Sequence, residues 1–474
     1  MTAEGKKCKL KKLHCRIIQT ALFVTGIILI LFGISMAFLT PKLINTKIYQ
    51  VLNGNKPEVI KIGPYAYEVS LEKNIIDFGN DSIKYQNVHN FTFDVNASCA
   101  ECSLAREIWI PNIVFQKFVE IASNPITSVA QIALTSQQPF LKVSVNDILF
   151  NGYRDPYLAN ICAIPVMDLI CKSVLKVPNR IGFLMNRNGA QKVIEISTGS
   201  NDGSIAAGEI LNWDGLKLLP ENWWNSKQAR KINGTDGGLY KPFIKKTDII
   251  YVFAPDLCRY LLLLPLMKED LLDPAVPGNE GFCHNDGKAF FSEDEKCLPK
   301  GLLDLSHCYN GTPPILFSFP NFLYADKRVK ESVIGLNEST VQHDGIIIEI
   351  EPQTGTLLRI YIRSQINIAM WKGREIIYSA DLSRMKNTIV PLFAEYQIVK
   401  IGDNSLALLR KMLLLIKGTF AFLCFIPIFV GILFVIVAIF IELLLKTKLM
   451  EEKSNKVIAQ VQPFPNNQKN VSFR

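Results

Sequence analysis

Hydrophobic positions along this chain follow three patterns, and each predicts a different element. Two runs are apolar throughout: Ile17 to Leu39 holds 23 residues and Gly418 to Ile441 holds 24, none of them charged. A helix rises about 1.5 Å per residue, so about 20 such residues cross a hydrocarbon core roughly 30 Å thick. Both runs predict membrane-spanning helices. The second pattern has period two and is clearest from Leu357 to Ile368. There Leu358, Ile360, Ile362, Ile366 and Ile368 share one face and Arg359, Arg363, Gln365 and Asn367 the other, the mark of a half-buried strand. The third pattern is helical. It covers Asn112 to Gln138, interrupted at Pro125, and Ala159 to Leu175, interrupted at Pro165.

These two helical stretches are rich in aliphatic and aromatic residues and poor in charge. Their stripes either pack against each other and the strands, or leave apolar surface exposed or lining a cavity for a lipid, since large apolar patches mark binding sites. On the second reading the lipid-binding candidates are Phe115, Phe118, Val119, Ile132 and Leu134. No repeat or low-complexity linker breaks the stretch between the spans. The expected layout is a tail at 1–16, a span at 17–39, one large domain at 40–418, a span at 419–441 and a tail at 442–474. A secretory signal has an apolar region of only about 7 to 15 residues, so the first run is read as an uncleaved anchor.

Charge orients this layout. Lys6, Lys7, Lys9, Lys11, Lys12 and Arg16 precede the first span against the single acid Glu4, and Lys446, Lys448, Lys453, Lys456, Lys469 and Arg474 follow the second. Basic flanks stay cytosolic, which places both tails inside and the large domain outside. Most of the formal +9 sits in these tails, where it can meet anionic headgroups. The nearly neutral domain argues against a nucleic-acid ligand, which needs a basic face.

Of eleven cysteines, eight lie in the large domain: Cys99, Cys102, Cys162, Cys171, Cys258, Cys283, Cys297 and Cys308. An even number outside the cytosol predicts disulfides. N-x-S/T sequons at Asn80, Asn90, Asn96, Asn233, Asn310 and Asn337 fall in the same domain and predict N-glycans. Cys8 and Cys15 sit among basic residues beside the first span and are palmitoylation candidates.

A search for catalysis finds no G-x-S-x-G elbow and no H-E-x-x-H pair. The spacings of Cys283, His284, Cys297, His307 and Cys308 match no common zinc finger. Cys99-Ala-Glu-Cys102 lacks the strand–helix setting of a redox motif. The expectation is a non-enzyme with no catalytic residue, metal or cofactor.

Several segments, taken together, resemble a known family. They are Lys61-Ile-Gly-Pro-Tyr-Ala-Tyr-Glu68, Ile110-Pro-Asn112, Gly152-Tyr-Arg-Asp-Pro-Tyr-Leu158 and Ile232-Asn-Gly-Thr-Asp-Gly237. Gly301-Leu-Leu-Asp-Leu-Ser-His-Cys308, Phe319-Pro-Asn-Phe-Leu-Tyr-Ala-Asp326 and Glu351-Pro-Gln-Thr-Gly355 follow, with Arg363, Gln365 and Asn367. In order and spacing they resemble the class B scavenger receptors, of the fatty-acid translocase and lysosomal integral membrane protein type. The resemblance implies an α+β fold in which two transmembrane helices flank a large ectodomain. That ectodomain would have an irregular antiparallel β-barrel-like core, an apical helical bundle and a lipid-conducting tunnel. It also implies the disulfides Cys258–Cys308 and Cys283–Cys297. A third family pair would need cysteines at Ala229 and Gly281, and both are missing together. Cys99, Cys102, Cys162 and Cys171 are additional and allow three pairings, of which Cys162–Cys171 is preferred because both fall in one helical region.

Two departures stand out. Lys117 is the only basic residue between Asn112 and Leu141, where some relatives carry a lysine cluster, and Asn321 replaces a usual histidine. The leading functional expectation is a cell-surface receptor for lipids or lipoprotein particles that passes lipid toward the membrane. The alternative is an adhesion or cargo-protein receptor on the same fold, with protein ligands. The C-terminal tail lacks an acidic dileucine signal, which favours the plasma membrane over the endo-lysosomal membrane.

Overall fold

The computed structural model describes residues 3–47, 56–135, 137–156, 158–175, 178, 180–185, 187–199, 207–245, 247–264, 282, 297–309, 313–373, 382 and 384–460. The chain forms two compact units, one made of Met1–Lys47 with Ala407–Arg474 and the other of Ile48–Leu406.

In the first unit, helix α1 (Ala3–Lys47) and a C-terminal helix (Asp403–Gln460) extend beyond the apolar runs. Both contain segments long and apolar enough to cross a membrane. They pack through small residues one heptad apart on each helix. A methyl group placed on Gly26 would lie 2.7 Å from the Gly431 carbonyl oxygen, and one on Gly33 would lie 2.7 Å from that of Cys424. Only glycine allows such backbone approach, the usual basis of helix association in lipid, where hydrophobicity itself supplies no drive.

The second unit holds strands β1 (Lys56–Ile62), β2 (Tyr65–Phe78), β3 (Ser82–Asp94), β4 (Glu107–Pro111), β5 (Phe140–Ser144), β6 (Gly189–Ser197) and β7 (Ile210–Trp213). Strands β8 (Ile250–Ala254), β9 (Arg259–Leu264), β10 (Leu303–Asp304), β11 (Ile315–Ser318), β12 (Ile347–Glu351), β13 (Thr356–Met370) and β14 (Thr388–Lys400) complete it. Ten of them form an antiparallel sheet in the order β10-β11-β13-β14-β1-β2-β3-β6-β7, with β12 paired to β13. The antiparallel pair β4–β5 and the hairpin β8–β9 stand apart. Alternation explains the strands locally. Tyr65, Tyr67 and Val69 of β2 are buried, while toward the hairpin tip both faces turn outward.

The barrel-like core expected from the resemblance is corrected here to an open sheet. Among the described residues no strand pairing joins β10 to β7. The two ends nevertheless share one core, in which Leu303 and Phe317 pack in the same cluster as Ile194, Ile210 and Trp213. Phe253 of the β8–β9 hairpin is buried in the same cluster. Phe253 meets Trp213 edge-on at 5.4 Å between ring centroids. Ala229, fully buried in this cluster, occupies its place as core packing.

Candidate functional site

Above the sheet sit helices α2 (Ile113–Ala122), α3 (Gln131–Leu134), α4 (Leu158–Ile161) and α5 (Pro165–Ile170). Asn112 starts α2 by accepting a hydrogen bond from the Phe115 amide at 2.9 Å, which satisfies an otherwise orphan helical N–H. Its own amide group donates to Gln138 O at 3.1 Å, fixing α2 against the start of β5. Gln116 Nε2 donates to Trp371 O at 2.9 Å and ties the bundle to the end of β13. Pro125 breaks the helical run and opens a 3₁₀ turn, Pro125–Ala130, because proline has no N–H to continue the ladder. A Cys162–Cys171 disulfide joins α4 to the end of α5.

This bundle has an apolar inside and an apolar outside. Phe115, Phe118, Val119 and Leu134 lie in a buried cluster with Ile161, Met167 and Ile170. Of the five lipid-binding candidates these four lie in that buried cluster, and Ile132 is 57% exposed. Helical periodicity marks the face a helix turns toward its own core, so it pointed at the inner residues. The open face is made instead by Ile126 at 90% exposure, Leu169 at 70%, Val166 at 58%, Ile132 at 57% and Ile164 at 46%. Among the described residues, the lysines of these helices do not leave that face cationic. Lys117 is buried and pairs with Glu120 at 3.0 Å, and Lys172 pairs with Asp168 at 2.8 Å.

A second region is polar. The face of β13 carrying Gln365 and Asn367 points inward, not to solvent, and both side chains are buried. Gln365 Nε2 donates to Asn367 Oδ1 at 2.8 Å, and Asn367 Nδ2 donates to Ser318 Oγ at 3.0 Å and to Leu316 O at 3.2 Å. Gln365 Oε1 accepts from the Asn321 amide at 2.9 Å. Asn321 sits at φ +51°, followed by Phe322 at +53° and Tyr324 at +64°. Such left-handed backbone costs of order 1–3 kcal/mol at each side-chain-bearing residue and persists only where its surroundings over-determine it.

Two charge clusters tie distant segments of the domain together. Burial alone would raise the pKa of Asp236. Lys73 at 2.9 Å, the Tyr85 hydroxyl and the Gly238 amide outweigh it and hold the carboxyl down at about 2. Arg187 bridges Asp256 at 2.8 Å and Glu395 at 3.2 Å. Burial and Arg187 together lower the pKa of His89 from its ordinary value. No group of three metal-ligating side chains occurs among the described residues.

The CD36 family model matches residues 43–265 and 266–441. The chain belongs to the CD36 family. Its relatives include human lysosome membrane protein 2, 26% identical over 77% of this chain and 74% of that one. They also include mouse scavenger receptor class B member 1, 25% identical over 83% of this chain and 76% of that one. This CD36-family member carries disulfides Cys99–Cys102, Cys162–Cys171 and Cys258–Cys308. Cys297 is also disulfide-bonded, and Cys283, its expected partner, lies outside the described residues. Asn80, Asn90, Asn96 and Asn337 are exposed. Asn233 is half-buried, with Thr235 of its sequon buried, and Asn310 lies outside the described residues. Cys15 is a free, exposed thiol; the side chain of Cys8 lies outside the described ones.

Proposed function

We propose that this CD36-family protein is a two-span receptor for lipids or lipoprotein particles, with both tails cytosolic, sited in the plasma membrane. In this reading the apical helices make first contact with the ligand. The observation that carries it is the open face of Ile126, Leu169, Val166 and Ile132, all more than half exposed. Its nearby lysines, Lys117 and Lys172, are paired with acids. A soluble surface rarely leaves so many aliphatic side chains together without a partner, and an apolar ligand is the partner that chemistry selects. Fully burying one such side chain yields about 1.5–3 kcal/mol, so the face must be covered as a whole to offset the cost of association. The names of the scavenger receptor and lysosomal membrane relatives agree with a receptor at a membrane. Onward movement of lipid through a tunnel in the ectodomain enters this reading through the family resemblance alone.

The test is uptake of labelled fatty acid and sterol ester by cells expressing the full chain. Wild type exceeds the empty-vector control, and Ile126→Asp with Leu169→Asp lowers that gain at least tenfold at equal surface expression. Uptake equal to the control refutes the receptor role. Uptake by the variant equal to wild type removes the apex from it and leaves a protein ligand as the reading for that face.

A further inference from the structure

Beside the buried polar network lies a cavity of about 460 Å³. We propose that it seats the first sugars of the chain's own N-glycan, attached at Asn337. This inference stands apart from the lipid reading and depends only on the domain entering the secretory lumen.

The attachment point is part of the cavity itself. Asn337 opens the sequon Asn337-Glu338-Ser339, is exposed and lines the rim. Asn321 holds that rim in place, because its Oδ1 accepts from the Asn337 amide at 3.3 Å while its Nδ2 donates to Asp344 Oδ1 at 3.2 Å. Asp344 in turn accepts from the Tyr396 hydroxyl at 3.3 Å and from the Thr340 amide at 3.1 Å. Rim and wall are therefore one hydrogen-bonded frame, with the left-handed Asn321 at its joint. Asn321 does this with a single planar amide, its oxygen accepting and its nitrogen donating.

The lining suits a sugar. Tyr361 and Tyr396 offer aromatic surface, and the Arg363 guanidinium lies 5.1 Å from the Tyr361 ring centroid. Arg363 donates to Gly345 O at 2.6 Å and has no acid partner among the described residues. A guanidinium has five N–H donors, so most remain for a ligand's acceptors. An N-acetylhexosamine presents what this arrangement asks for: hydroxyl and acetamido oxygens at its edge and an apolar ring face for the tyrosine. A free anion fits less well, because Glu338 and Asp344 also line the cavity and oppose negative charge.

The full-length protein from glycosylating cells provides the test, with glycopeptide mass spectrometry reading occupancy and N-glycosidase acting on the native fold. The glycan at Asn337 is expected to be present and to be released at least tenfold more slowly than sugars at the other occupied sequons. Tyr361→Ala with Arg363→Ala brings its release up to theirs and leaves theirs unchanged. Ser339→Ala, which removes the sugar and keeps the named cavity side chains, raises hydrogen exchange in 319–326 and 337–345. An unmodified Asn337, release as fast as elsewhere in wild type, or exchange unaffected by Ser339→Ala overturns the proposal.

Discussion

The apical helices and strand β13 break the ordinary burial rule in opposite directions. At the apex Ile126 and Leu169 are 90% and 70% exposed. In β13 the side chains of Gln365 and Asn367 are 4% and 0% exposed. An exposed aliphatic side chain forgoes the stabilisation that burial would bring, and a buried amide costs about 1–3 kcal/mol unless it is hydrogen-bonded. The strand meets that condition within the fold, because Ser318, Leu316 and Asn321 supply partners. The apex does not complete itself. On the proposed reading a ligand from outside would cover it, whereas the Gln365–Asn367 pair is completed by its own fold.

That contrast can be broken by substitution. Asn367→Ala has the largest expected effect, because it empties a dry interior site and removes a hydrogen-bond partner of Gln365, Ser318 and the Leu316 carbonyl together. The cost is about 3 kcal/mol, read as a fall of about 6 °C in thermal midpoint; a change under 1 °C would show that the network contributes nothing. Ile126→Asp with Leu169→Asp has the smallest effect on stability, within about 0.5 kcal/mol of wild type, as for surface changes that remove no native contact. A substantial loss of stability there would show that these side chains are held within the fold.

The period of β13 and the two apolar runs were legible from spacing alone, since both depend on residues near one another in sequence. The polar face of β13 read as solvent-facing for the same reason. Nothing within Leu357–Ile368 announces that β11 and the turn at Asn321 will cover it, and those partners lie some 40 to 50 positions away. The apex shows the complementary limit. A helical stripe identifies a buried face, so Phe115, Phe118, Val119 and Leu134 were conspicuous. Ile126 directly follows the Pro125 break, and there the helical spacing does not tell an outer position from an inner one. Strand pairing across the ends of the sheet is also beyond local pattern, because an open and a closed sheet share the same alternation.

The central claim is that a lipid ligand covers the outer face of the apex. Ile132→Cys, labelled on intact cells with a membrane-impermeant, environment-sensitive maleimide, tests it most directly. Addition of phosphatidylcholine vesicles or lipoprotein should shift the label's emission to the blue and protect it from an aqueous quencher. A label at Ile132 that stays quenchable at saturating lipid, while the cells still take lipid up, contradicts the account.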